Sequence, residues 1–480
     1  MVPTAFMQID EIPKNPNGKA DLKQLPEPKP EFENISPEND TEEKLFEMLS
    51  DYDDDFGVTD DLYALGFTSL SLMKFNAVIY EEFNVNLDIT ELLETPTIRH
   101  IANCIEIAEF DEDLDELIKS SKDITFYPLM DNQLGVYYEC IQNPEEAQYN
   151  LPALVRFNKS INSLKLRDSI IKTIDAYPYL KTRIVLHDGQ LMLKRDDSIA
   201  IEEIPIVETD DISDMEIEKE NVKRFELLDN QLFRAKIYET NDEIILFFDI
   251  HHIISDGESI GALFNNIANA YNGEEIEKEV FNGYICSLIE NKDKGSEEYT
   301  ASERYFHDQL TKEVDSTILT PDLRNDENIA KFQSISKNID LEDIKEFCAD
   351  KRISPNILFM ASTILALNKY SFSDKTLLTT IFNGRLNSNY NNTQAFLVKT
   401  LPIVSINDDR NISIRQMFNQ IDEIWKNGIR HSNYPYIKIA EEFNLKPEFM
   451  YSYNNLELGN IKLNNNVYEI KRLNSLEVNY

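Results

Sequence analysis

The chain has 480 residues, 42% hydrophobic and 10% aromatic, which is too long for one ordinary core and apolar enough to fill about two to four. Against 47 Lys and Arg stand 87 Asp and Glu; the formal net charge of −40 repels a phosphate polymer, and with no basic stripe to reverse it locally, nucleic acid is excluded as a partner. No run approaches about 18 consecutive apolar residues, and the start "MVPTAFMQIDEIPKN" lacks both a basic opening and a long apolar core, so the chain reads as cytoplasmic, with no membrane partner.

In chain order, the first punctuation is "NPNGKADLKQLPEPKPEFENISPEND", where Pro, Asn and Gly cluster and hydrophobic periodicity lapses: the end of one unit and a linker. "TEEKLFEMLSDY" then puts Leu45, Phe46 and Leu49 on one helical face, and "SLSLMKFNAVIYEEFN" does the same with Leu72, Phe75, Val78 and Ile79. Shorter helical patterns follow in "DITELLET" and "TIRHIANCIEIAE", so residues 38–108 predict a small helical bundle. Residues 109–124, an acidic stretch, read as a linker.

Beyond it the texture is mixed α/β. "LPALVRFN", "LFRAKIYE", "EIILFFDI", "TLLTTIFN" and "KTLPIVSI" predict strands, while "LRDSIIKTIDAY" and "SPNILFMASTILALNKY" predict helices. About 350 such residues suggest two lobes. Cys104, Cys140, Cys286 and Cys348 lie far apart without paired spacing, which predicts buried thiols in a reducing compartment, neither a disulfide framework nor a metal site.

Two places stand out chemically. Ser69 follows the break at Gly66 and directly precedes a helical pattern, where a hydroxyl caps orphan amides. "LYALGFTSLSLMKF" also resembles the attachment motif of acyl and peptidyl carrier proteins: Leu65, Gly66, Ser69 and Leu70 match, with Phe67 where a second Gly is usual, and Ser71 matches no position. "LLETPTIRHIA" resembles the closing helices of the same family. The resemblance implies a four-helix peptidyl carrier over 38–108, with 4′-phosphopantetheine covalently attached to Ser69 by a phosphopantetheinyl transferase using coenzyme A. The anionic phosphodiester would sit at the positive end of a helix.

The second is "FFDIHHIISDGESIG". If the strand stays extended, His251 and His252 face opposite ways, so one can enter a core and the other a cavity. "HHIISDG" resembles the His-His-x-x-x-Asp-Gly signature of the condensation-domain and chloramphenicol-acetyltransferase superfamily. Other motifs of that superfamily follow its order. "FYPLMDNQLGVYY" carries Gln133, "DAYPYLKTRIV" carries Tyr177, Leu180, Lys181 and Thr182, and "FNGRLN" carries Gly384 and Arg385. "AFLVKTLP", with Ala395 and Lys399 substituted, and "HSNYPYIKIAEEF" complete the set. "IPKNPNGKADLKQL" resembles the last motif of an adenylation domain, with Lys19 in the position that contacts the acyl-adenylate.

Together these resemblances imply a piece of a nonribosomal peptide synthetase. Residues 1–30 would be an adenylation-domain remnant and linker, the rest of that domain being a partner. After the carrier and linker would come a condensation domain of two chloramphenicol-acetyltransferase-like lobes in a V, spanning 125–295 and 296–480, the second shortened at its end. The implied activity joins an acyl or peptidyl thioester to the amine of an aminoacyl thioester on a downstream carrier.

In that reading His252 is catalytic, as general base or as a positioning and stabilising group. His251 is scaffold, Asp256 pairs with a buried Arg385, Gly257 permits the turn back toward the site, and no metal takes part. An epimerization domain is the nearest rival, though "TIFNGRLN" stands where that class has an acidic Glu-Gly-His-Gly-Arg-Glu motif. Heterocyclization is disfavoured, because two aspartates replace the histidine pair there. A noncatalytic docking scaffold is the third reading. The amino acids joined and the donor configuration stay open.

Overall fold

The computed structural model describes residues 34–49, 56–63, 65, 67, 69–83, 85, 87, 89–107, 112–144, 146–310, 317–319, 335–351, 353–385, 390, 393–406, 412–446, 448–453 and 458–473. The adenylation-like stretch with Lys19, and Gly66 and Thr68 of the carrier motif, lie outside them. The chain divides into two compact units, Met1–Ala108 and Glu109–Tyr480.

In the first unit α1 (Asp40–Met48), α2 (Ser69–Phe83), α3 (Ile89–Glu94) and α4 (Ile98–Ile107) fall where the hydrophobic periods predict them. Asn39 caps α1, accepting from the Glu42 amide at 2.7 Å. Leu45, Leu72, Phe75, Ile79, Leu92, Ile98 and Ile101 are buried. Val78, expected on the buried face of α2, is 45% exposed. At about 100° per residue it lies well off the Leu72–Phe75–Ile79 line. Asn76 is buried on that face instead, its Nδ2 donating to the Leu87 carbonyl at 3.1 Å.

The second unit opens with α5 (Glu112–Ser121), so the stretch expected as a plain linker carries a helix. It is held to this unit by the Tyr127 hydroxyl donating to the Ser121 carbonyl. There follow β1 (Phe126–Pro128), α6 (Asp131–Gln142), β2 (Ala153–Asn158), α7 (Ser163–Ala176), β3 (Arg183–His187) and β4 (Gln190–Lys194). Next come β5 (Ile206–Glu208), α8 (Asp214–Asn221), β6 (Phe233–Glu239), β7 (Glu243–Ile250), α9 (Gly257–Asn272), α10 (Gly283–Asp293) and α11 (Glu297–Leu310). The last part contains α12 (Leu341–Lys351), α13 (Pro355–Ser371), β8 (Lys375–Phe382), β9 (Lys399–Ile406), α14 (Ile414–Arg430) and α15 (Tyr436–Phe443). It ends with β10 (Met450–Tyr451), β11 (Asn460–Leu463) and β12 (Asn466–Arg472).

The main sheet has the order β11-β12-β2-β7-β6-β5. β7 lies inside it, paired antiparallel with β2 and β6, and every residue from Ile244 to Ile250 is buried. Its apolar run does not alternate because both faces are covered. Leu246, Phe248 and Ile250 join the core formed with α7 and α9, while Ile245 and Phe247 pack with Ile217 of α8. The second sheet, β10-β8-β9, has α13 and α14 on one core and Tyr299, Phe306 and Ile439 of α11 and α15 on another.

The expected lobe boundary near residue 296 is crossed twice. β12 pairs with β2, placing Ile470 opposite Val155, so late residues complete the first sheet and cover an edge that would otherwise expose unpaired backbone groups. Residues 393–397, between β8 and β9, bond to the start of α9.

Candidate active site

β7 delivers the histidines. The His251 amide donates to Leu232 at 2.8 Å, and His251 bridges antiparallel to Asn150. There the strand stops: His252–Ile254 form a 3-10 turn whose first amide donates to Tyr149 at 2.7 Å. The alternation expected from an extended run therefore ends at His251, and the turn gives His252 its separate direction.

His251 is 3% exposed. Its Nδ1 accepts from the Ile253 amide at 3.2 Å, which puts the proton of the neutral ring on Nε2, 3.8 Å from the Cys140 sulfur. Phe225 meets the ring edge-on, with centroids 5.8 Å apart. Burial first, then the neighbouring His252 and Arg234, lower its pKa to about 3. This imidazole is neutral near pH 7.

His252 is partly buried, its ring edge-to-face with Phe396 at 4.8 Å. Its Nδ1 is enclosed without a hydrogen-bond partner among the described residues. Burial holds it below the ordinary imidazole value, and Arg472 acts the same way; the Asp256 carboxylate and the backbone of His252 and Ser255 oppose the shift.

Asp256 caps α9 and organises what surrounds His252. One oxygen accepts from the Ser259 amide at 3.0 Å and from Arg385 Nη2 at 2.8 Å; the other accepts from the Leu397 amide at 3.1 Å. The two side chains of the ion pair are 1% and 3% exposed. Arg385 also donates to Ser259 Oγ at 2.9 Å, to the Thr393 carbonyl at 3.3 Å and to the Tyr390 carbonyl. Gln394 donates to the Ser259 carbonyl at 2.7 Å. These bonds fasten residues 393–397 to the N-terminus of α9 and so bring Phe396 against His252.

Gly384 has φ +72°, and a Cβ there would collide with the Leu397 carbonyl, so glycine is required. Gly257 is not. It is the first residue of α9, its φ is not positive, and a Cβ would meet nothing within 4 Å, so the special freedom expected of it is not used.

Gln133 and Asn132 of the opening motif bond to residues beside His252, while the other motif residues make pairs of their own. Gln133, fully buried, donates to the Ile253 carbonyl at 2.6 Å and to the Tyr179 hydroxyl at 2.9 Å, and its Oε1 accepts from the Met130 amide at 2.9 Å. Asn132 donates to the Phe396 and Val398 carbonyls at 2.8 and 3.1 Å. Lys399 pairs with Glu290 at 2.7 Å. Tyr177 accepts from Asn266, and Lys181 pairs with Asp175 at 2.7 Å. The late motif packs on α6, where Ile437 lies over Gly135. His431 bonds with Ser302 at 3.0 Å and stacks on Tyr305, and Tyr434 donates to Glu442 at 2.7 Å.

Sequence reading missed a buried polar cluster behind the histidines. Asp249, 0% exposed, accepts from Asn150 at 2.8 Å and lies 3.4 Å from Arg234 Nε; burial, opposed by Arg234 and Asn150, pushes its pKa up to about 7. The signal was an aspartate inside an apolar strand. Two cysteines also differ from expectation: Cys286 and Cys348 are buried, but Cys104 and Cys140 are only partly so.

In the carrier-like unit, Ser69 is the first residue of α2, and no acidic side chain occupies that helix's first turn. The start of a 15-residue helix with no acidic residue in its first turn favours an anion.

Comparison with known proteins bears on both units. Residues 123–471 match the family described as Condensation domain, and residues 45–105 match that described as Phosphopantetheine attachment site. Surfactin synthase subunit 2 of Bacillus subtilis (strain 168) is 26% identical over 96% of this chain, which spans 13% of that protein's length. The first condensation domain of the calcium-dependent antibiotic synthetase superposes with a TM-score of 0.60 at 13% identity, covering 73% of this chain and 84% of that one. The starter condensation domain of rhizomide synthetase gives 0.59 at 14% identity, covering 75% and 85%. The second unit therefore has the chloramphenicol-acetyltransferase-like condensation fold.

Proposed function

The chain belongs to the condensation-domain family and carries a phosphopantetheine attachment domain before it, and on that premise we propose that it is a carrier-plus-condensation segment of a nonribosomal peptide synthetase. It joins an acyl or peptidyl thioester to the amine of an aminoacyl thioester on a separate downstream carrier, in the cytoplasm. A phosphopantetheinyl transferase, drawing on coenzyme A, prepares Ser69. Once attached, the arm supplies a thiol that carries the acyl group as a thioester.

The observation that carries this reading is His252, a partly exposed imidazole that burial keeps neutral, seated where the 393–397 segment meets the end of β7. As the amine attacks the thioester carbonyl, its nitrogen sheds a proton. A neutral imidazole near pH 7 can accept that proton, or hold the developing tetrahedral species by a hydrogen bond. With Nδ1 enclosed, Nε2 is the nitrogen that meets substrate. Asp256 and Arg385 touch no substrate in this scheme; they hold the segment that faces His252.

Product identity tests the reading against its rivals. The pantetheinylated chain, loaded with an aminoacyl donor and mixed with a loaded downstream carrier, should yield dipeptidyl thioester, and Ser69→Ala should accept no arm and give none. Racemised donor without peptide would make the domain an epimerase. Turnover of neither kind from doubly loaded carriers would make it a scaffold.

A further inference from the structure

The carrier-like unit holds a second cluster of chemistry-bearing side chains. Glu91 lies in the first turn of α3, and His100 and Cys104 stand four residues apart on α4, so they share one helical face. Cys104 Sγ is 3.4 Å from Glu91 Oε2 and 3.5 Å from His100 Nε2, and the three ligating atoms all lie within 4.8 Å of one another. His100 and Cys104 are partly buried and Glu91 is exposed. The buried side of α4 is formed by Ile98, Ile101, Ala102 and Ile105, so the cluster is not needed to build the core.

We propose that Glu91, His100 and Cys104 form a three-donor site for a divalent transition-metal ion of the zinc class. A tetrahedral ion with bonds of about 2.3 Å to sulfur and about 2.0–2.1 Å to nitrogen or oxygen sets its ligand atoms about 3.3–3.6 Å apart, and the two measured separations already have that spacing. One thiolate, one imidazole and one carboxylate suit zinc better than calcium or magnesium, which prefer oxygen alone. Binding is balanced: the Cys104 S–H bond breaks, the sulfur bonds the metal, and one proton leaves to solvent. Thiolate and carboxylate then neutralise the two positive charges of the ion, and the net charge of −40 favours the approach of a cation. The sequence carries no paired Cys spacing and the third donor comes from another helix, so only the fold brings the three together.

Cobalt(II) is the probe, titrated into the full chain before pantetheinylation so that no arm thiol competes. One equivalent should raise a thiolate-to-cobalt charge-transfer band that zinc abolishes and Cys104→Ser lacks. Glu91→Gln, on an exposed side chain whose change leaves the core intact, should weaken cobalt binding by at least ~10-fold. Circular dichroism checks that each variant is folded. No band in the wild-type chain, a band that survives in Cys104→Ser, or an unchanged affinity in Glu91→Gln overturns the site.

Discussion

Asp256 and His252 are four residues apart and do different work. Asp256 anchors three groups, the amides of Ser259 and Leu397 and the Arg385 guanidinium, and through them the 393–397 segment. Asp256→Ala leaves Arg385 buried beside no carboxylate, which costs about 3–5 kcal/mol, whereas His252→Ala trims a partly exposed ring. Thermal melts should show the aspartate variant unfolding well below the histidine variant; equal melting points would mean that the pair contributes nothing to the fold.

The two buried groups behind them oppose each other in pH. His251, near 3 in the fold against about 6.5 in the unfolded chain, contributes stability that is complete above about pH 6.5 and is lost as pH falls toward 3, by up to ~1.4 kcal/mol per unit. Asp249, near 7 in the fold against about 3.9 unfolded, keeps a proton that the unfolded chain releases, so its contribution is complete below about pH 4 and shrinks as pH rises. Asp249→Asn removes the second effect and leaves the first. Urea unfolding between about pH 6.5 and 4.5 should show stability falling more steeply with acid in this variant than in the wild-type chain. A slope equal to or shallower than wild type would show that Asp249 is ionised in the fold.

Among elements, the strands and long helices were legible because their hydrophobic periods are strong and both sides of the central strand are covered. Less legible were the irregular segments. The Gly384-Arg385 pair could be read as a motif, but its purpose depends on a loop that runs from β8 back to α9, which no local period encodes. Gly384→Ala should place a methyl group against the Leu397 carbonyl and strain a φ of +72°, costing about 1–3 kcal/mol and shifting Arg385 from Asp256. Chemical denaturation would read that loss; wild-type stability would mean that the loop relaxes freely. Gly257, which ends the "HHIISDG" signature, should accept alanine with little change, since its backbone is helical.

At the scale of the molecule, the division into a helical carrier-like unit and an α/β condensation unit was readable from composition shifts and motif order. The boundary drawn near residue 296 was not, because β12 pairs with β2 over a separation of about 300 residues, and the register of such a pairing leaves no local mark. Asp249 escaped for a similar reason: only the fold shows that an aspartate in an apolar run is met by Asn150 and Arg234 from neighbouring strands and loops. The chemistry proposed for the whole depends on His252 more than on any other side chain. It is tested most directly by single-turnover formation of dipeptidyl thioester from doubly loaded carriers, followed across pH for the wild-type chain and His252→Ala. The variant should be slower by ~10²–10⁴-fold near neutral pH, and the wild-type rate should fall in acid with a midpoint below about 6.5. A His252→Ala chain that forms peptide at the wild-type rate, with the same acid limb, would contradict the role given to this imidazole.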